Sequence, residues 1–156
     1  MTWSSMVVAA VACASMSTAF AASADVEATI RQMMDGFNKG DIAAVKAAHV
    51  ASPTIVDNVP PFLWSGPGAF DQWLADLTKA EASEGKSEGN VTFAPLVDKL
   101  IRGDRASVVA RSIYTFKQKG HTRREDGYTA FVLVKTGADW KVESWSWASP
   151  AATGVK

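Results

Sequence analysis

Tyr128-Thr129-Ala130-Phe131-Val132-Leu133-Val134-Lys135, a turn containing Gly137-Ala138-Asp139, and then Trp140-Lys141-Val142 decide the fold of this chain. Apolar, β-branched runs on either side of a Gly-containing turn read as two neighbouring strands. Working back from this pair, 91–101, a turn at Arg102-Gly103-Asp104-Arg105, 106–117 and 127–135 read the same way, and 140–148 closes the series. Everything after Val91 therefore reads as antiparallel sheet, with the tail from Ser149 expected to fray.

Before Val91 the period changes. Val26, Ile30, Met33, Met34 and Phe37 recur at helical spacing until Asn38-Lys39-Gly40-Asp41 breaks the pattern, which predicts a helix over 26–38. Asp41 can cap a shorter second helix with Ile42, Val45, Ala48 and His49 on one side, ended by Pro53. Thr54-Ile55-Val56-Asp57 is a short strand-like run leading into the turn-rich stretch Asn58 to Gly68. Phe70, Trp73, Leu74 and Leu77 then predict a third helix over 68–80, and polar Glu81 to Asn90 reads as a solvated loop. Helices first and strands second mean α+β rather than an alternating α/β fold.

The chain has 156 residues, and 16 Lys and Arg balance 16 Asp and Glu. A neutral chain lacks the clustered cationic excess that phosphate backbones require, which argues against a nucleic-acid binder. At 47% hydrophobic and 21% charged, the composition is that of a globular protein, and the length suits one domain. The first 24 residues carry no Asp, Glu, Lys or Arg, and the apolar run Met6 to Phe20 leads to Ala22-Ser23-Ala24. This reads as a signal peptide over 1–24, cleaved before Asp25, with a second possible cut at Ala19-Phe20-Ala21. The run is short of the roughly 20 apolar residues of a membrane span. The expectation is an exported protein, periplasmic or secreted, off the membrane after cleavage, with a domain over 25–149 and a flexible tail over 150–156. Cys13 is the only cysteine; it loosely fits a lipoprotein box, and an ordinary cut would remove it, excluding disulfides and thiolate chemistry.

The mature chain resembles the nuclear transport factor 2-like superfamily, in particular its SnoaL-like and ketosteroid-isomerase-like branch. The likeness runs over about 26–148. It rests on Phe37-Asn38-Lys39-Gly40-Asp41 at the end of the first helix, Thr54-Ile55-Val56-Asp57, Ser65-Gly66-Pro67-Gly68 before the third helix, and the closing strand pair, in that order. The resemblance implies a cystatin-like α+β roll: a curved antiparallel sheet wrapped around the helices into a cone. It also implies a largely apolar pocket at the open end and frequent dimerisation through the sheet. The same fold hosts isomerases, dehydratases, cyclases and proteins with no catalysis, so it does not by itself choose a chemistry.

By that resemblance Asp57 falls where the ketosteroid-isomerase-like branch places its catalytic base. An apolar setting among Val56, Val59, Phe62 and Trp64 would raise its proton affinity; capping the turn after it is the alternative. The branch's helix-one tyrosine aligns with Met33 and its second acid with Val132, neither of which can hold an enolate oxygen. Tyr114 could supply a donor instead, or be a core tyrosine with its hydroxyl at an edge. His49 could serve as acid or base, or simply pack. Arg111, between Val109 and Ile113, could bind a carboxylate ligand or form an ion pair at an interface or rim. Trp145 and Trp147 share a strand face and, with Trp64, Phe62 and Met33, are candidates to line the pocket; a core or dimer contact suits the tryptophans equally.

His49 and widely separated His121 carry no metal-ligand spacing, so no metal site is expected. Neither a dinucleotide fingerprint, a P-loop nor a Gly-x-Ser-x-Gly elbow is present, and no cofactor is expected. Asn90-Val91-Thr92 fits a glycosylation sequon, a weak signal. The reading is a homodimeric protein that binds a small apolar or amphipathic molecule. The alternatives are a cofactor-independent isomerase or lyase with Asp57 as base, and a protein-interaction module using the sheet face.

Overall fold

The computed structural model describes residues 25–155. The expected signal peptide, its cleavage motif and Cys13 lie outside the described residues. Helix α1 (Val26–Lys39) buries Val26, Ile30 and Met33 along one stripe and stops at Gly40, whose φ of 70° ends the helix in the left-handed region. Asp41 caps α2 (Ile42–Ala47), its Oδ1 accepting the Ala44 N–H at 3.0 Å. The chain then runs through β1 (His49–Val56), β2 (Leu63–Ser65) and α3 (Ala69–Glu84). Four long strands follow, β3 (Lys86–Arg102), β4 (Arg105–Gln118), β5 (His121–Thr136) and β6 (Asp139–Ala148), and then a short β7 (Thr153–Gly154).

The strands form one sheet in the order β2-β1-β6-β5-β4-β3, with β7 pairing β5. Its inner face presents Ala106, Val108, Phe131, Leu133, Val142 and Trp145 to the buried sides of α1 and α3, the latter Ala69, Phe70 and Trp73. This is the open curved sheet and α+β class the sequence implies, with one difference: β1 pairs β6 in parallel, so the sheet is mixed rather than wholly antiparallel. Asn38 ties the end of α1 to the sheet. Its side-chain amide donates to the Val91 carbonyl and its carbonyl accepts the Val91 N–H, both at 2.8 Å, so it substitutes for a strand neighbour.

Four boundaries differ from the sequence expectation, each for a local reason. Helix α2 does not reach Pro53; the chain turns at Ala48, whose carbonyl accepts the Val142 N–H at 2.8 Å, and His49 opens β1. Pro53 lies within that strand where the β1–β6 register shifts, so its missing N–H interrupts no regular ladder. The segment expected as a solvated loop over 81–90 divides: Glu81 to Glu84 extend α3, Gly85 stops it at φ 67°, and Lys86 begins β3. The strand expected over 127–135 begins earlier, at His121, with Lys117 opposite Thr122 across a tight turn. The tail expected to fray instead places Thr153 and Gly154 opposite Arg124 and Arg123.

Candidate functional site

Between α1, α3 and the inner sheet face lies a cavity with about 100 Å³ of space open to the centres of water molecules. Its walls are apolar, formed by Met33, Met34, Phe37, Leu77, Trp73, Trp145 and Trp147, and ionisable groups gather at one end: Asp57, Glu81, Glu84, Lys86, Tyr114 and Glu125. An apolar body with a few convergent polar groups is the usual make-up of a small-molecule site.

Asp57 follows the last residue of β1 and is 9% exposed. Its Oδ2 accepts the indole N–H of Trp73 at 2.8 Å and its Oδ1 accepts the Asn58 backbone N–H at 2.7 Å. It therefore both lines the cavity and holds the turn after β1, so the two roles weighed from sequence coexist. Burial raises its proton affinity above the ordinary carboxyl value; the two hydrogen bonds oppose this, the Glu81 charge adds to it, and Lys86 weakly offsets it.

Tyr114, on β4, donates its hydroxyl to Glu81 Oε1 at 2.5 Å and stacks on Phe116 with ring centroids 5.0 Å apart. Burial, then the Glu81 hydrogen bond, pushes the phenol far above its ordinary value, so it is a proton-bearing donor. Gly89 makes room for it: a Cβ there would come within 2.5 Å of the Tyr114 oxygen. Beside them Lys86 reaches Glu84 at 3.0 Å and Glu125 at 3.7 Å, with its ammonium 4.7 Å from the Phe116 ring centre. Buried Glu125 also accepts the Ser149 hydroxyl at 3.3 Å.

His49 does not line this cavity. Its Nδ1 lies 2.8 Å from the Val45 carbonyl and its Nε2 3.1 Å from the Trp145 indole nitrogen. A carbonyl only accepts and an indole only donates, so the proton belongs on Nδ1 and the ring is neutral. Burial lowers its proton affinity, against the pull of the Val45 bond. The ring thus fixes Trp145, which meets Trp73 edge-on at 5.0 Å, and Trp73 in turn holds Asp57. His49 acts on the cavity through two tryptophans rather than by touching its contents.

Of the other candidates, Met33, Trp145 and Trp147 line the cavity. Trp64 is buried in the core instead, its indole N–H on Asp76 Oδ2 at 2.9 Å. Phe62 is 54% exposed in the turn before β2 and contributes no wall. Arg111 points to the outer sheet face, where it pairs with Asp126 at 3.1 Å, the ion pair that was the alternative to ligand contact. Arg124 and Arg111 together pull the Asp126 carboxyl down to about 2. Val132 also faces outward and is exposed, so the second-acid position of the branch has no counterpart in the cavity at that residue. Among the described residues no three or more His, Cys, Asp or Glu converge as a metal site would require. Nor, among the described residues, is any helix long and apolar enough to cross a membrane.

Glu81, Glu84, Lys86, Glu125 and Trp73 belong to the site but were not singled out from sequence. A signal existed for some of them: Trp73, Leu77, Glu81 and Glu84 stand at i, i+4, i+8 and i+11, one face of a helix continued past residue 80.

Residues 26–152 match the family model of the SnoaL-like domain. Among solved structures the chain is similar to a nuclear transport factor 2-like superfamily protein from Salmonella enterica (20% identity, TM-score 0.63, covering 81% of this chain and 89% of that one). It is also similar to a scytalone dehydratase-like protein from Novosphingobium aromaticivorans (12%, TM-score 0.65, 84% and 85%). A third is a ketosteroid isomerase-like protein from Erwinia carotovora (17%, TM-score 0.61, 81% and 94%). At these identities the likeness concerns the fold. No curated protein matches the chain.

Proposed function

The chain belongs to the SnoaL-like domain family, and from that premise we propose that it binds a small amphipathic molecule in the cavity between α1, α3 and the sheet. The apolar body would lie against Met33, Leu77 and Trp145, and the polar end would face Asp57 and Tyr114. The observation that carries this reading is the division of one cavity into an aromatic, apolar wall and a single ionisable end. Folds of this kind commonly bind small molecules. Native mass spectrometry of the purified protein tests it. We expect retained mass of a few hundred daltons, lost in Leu77→Trp, which fills the cavity from α3; an empty protein that also takes up no amphipathic probe refutes it.

A second reading, an isomerase or dehydratase, is favoured by Asp57: a buried carboxyl with raised proton affinity opposite a protonated tyrosine. Asp57 would take a proton from carbon next to a carbonyl, and the Tyr114 hydroxyl would turn from Glu81 to the oxygen that gains charge. Asp57→Asn would abolish turnover and leave ligand affinity nearly intact; undiminished turnover in that variant excludes this chemistry.

Export is part of the same proposal, supported by the uncharged apolar run and Ala22-Ser23-Ala24. Intact-mass analysis of the protein recovered outside the cytoplasm should give a chain beginning at Asp25, and a chain retaining Met1 would refute cleavage.

A further inference from the structure

The charge lining the cavity is unbalanced. Asp57, Glu81, Glu84 and Glu125 bring carboxyl groups to one end, and Lys86 is the only lining cation among the described residues. Lys86 is already engaged by Glu84 at 3.0 Å and Glu125 at 3.7 Å, and its influence on Asp57 is the weakest of those acting there. Among the described residues, Asp57 accepts only the neutral N–H groups of Trp73 and Asn58, and Glu81 accepts only the neutral hydroxyl of Tyr114. Neutral donors satisfy lone pairs but do not cancel charge; Glu84 is exposed, but at buried Asp57 and half-buried Glu81 charge held away from water favours a counter-charge.

Carboxylates alone would define no site. Here they close one end of a cavity already walled by Trp73, Trp145 and Trp147, and indole faces attract organic cations. An anionic ligand would instead bring its charge against the surplus of carboxylates.

Resting on the binding reading above, we infer that the ligand of this cavity is an organic cation, an apolar body bearing a protonated amine whose ammonium faces Asp57 and Glu81. Three probes of one shape test it by calorimetry at pH 7: 1-naphthylmethylamine, 1-naphthylmethanol and 1-naphthoate. The amine should bind at least about tenfold more tightly than the alcohol, as expected for a charge pair in a partly desolvated site, and the naphthoate should bind weakest.

In Glu81→Gln, which keeps an acceptor for Tyr114, the ratio of amine to alcohol affinity should fall several-fold. Equal affinity of amine and alcohol, or a preference for naphthoate, overturns the inference while the binding reading stands. A Glu81→Gln variant that loses both probes alike also counts against it, because shape rather than charge would then be at work. If none of the three binds, the inference falls, and the binding reading is decided separately by the mass retained in native mass spectrometry.

Discussion

Asp57 shows how one side chain can be bound by its neighbours into two roles with opposite demands. Its hydrogen bonds to Trp73 and Asn58 stabilise the carboxylate, while burial and the Glu81 charge favour the protonated form and prevail. Because its folded-state proton affinity exceeds that of the unfolded chain, its contribution to stability is fully present below the ordinary carboxyl value, about 4. That contribution is lost as pH rises through the raised folded value. In thermal unfolding from pH 3 upward, the wild type should therefore lose stability relative to Asp57→Asn over that window; a constant difference would mean that Asp57 titrates normally. The opposite sign applies to His49, whose affinity burial lowers: its contribution is present above the ordinary histidine value and lost on acidification. His49→Phe removes the acceptor of the Trp145 indole N–H, and urea unfolding should show a loss of about 1–3 kcal/mol, the cost of a buried donor left unpaired.

At the scale of elements, local chemistry carried most of what could be read in advance. Asn38-Lys39-Gly40-Asp41 announces the end of α1 and the start of α2 because both events are decided within four residues: a left-handed glycine and a carboxylate cap. Gly40→Ala forces a Cβ into the left-handed region and should cost about 1–2 kcal/mol, measured by chemical unfolding, while leaving the cavity able to take up ligand. What escaped the sequence depends on distant partners. Nothing near Pro53 tells that its segment pairs in parallel with β6, some ninety residues on. The polar residues Glu81 to Glu84 and His121 to Asp126 look solvated because polarity signals water only when no partner is known. Folded, Glu81 meets Tyr114 and Glu125 meets Lys86, and both pairs become part of the site. The apolar wall at Met33, Trp145 and Trp147 was accordingly easier to anticipate than the ionisable end, where only Asp57 and Tyr114 stood out. Trp64 and Phe62, close in sequence to the lining residues Asp57 to Val59, lie elsewhere: Trp64 in the core on Asp76 and Phe62 exposed.

At the scale of the molecule the sheet has two faces with different tasks. The inner one carries the core and the cavity. The outer one sets Val109, Arg111 and Ile113 on β4 beside Tyr128, Ala130 and Val132 on β5, with Ser144, Ser146 and Ala148 next on β6. Tyr128 is 54% exposed and Val132 is also open to solvent, while Arg111, opposite Tyr128 within this patch, is held by Asp126. Small residues on β6 and apolar ones on β5 leave no bulky charged side chain on these two strands' shared face, and folds of this kind are often dimeric. A two-fold pairing would place each Val132 in a dry interface, where a carboxylate could find no partner without a cation opposite. We propose that the chain pairs through this face, and Val132→Asp should then leave it monomeric by light scattering on a sizing column. The affinity for cavity ligands should persist, because Val132 points away from the inner face. A wild-type monomer at micromolar concentration would exclude this face as a self-association surface, and a monomeric variant that had also lost its ligand would mean that the two faces are coupled through β5.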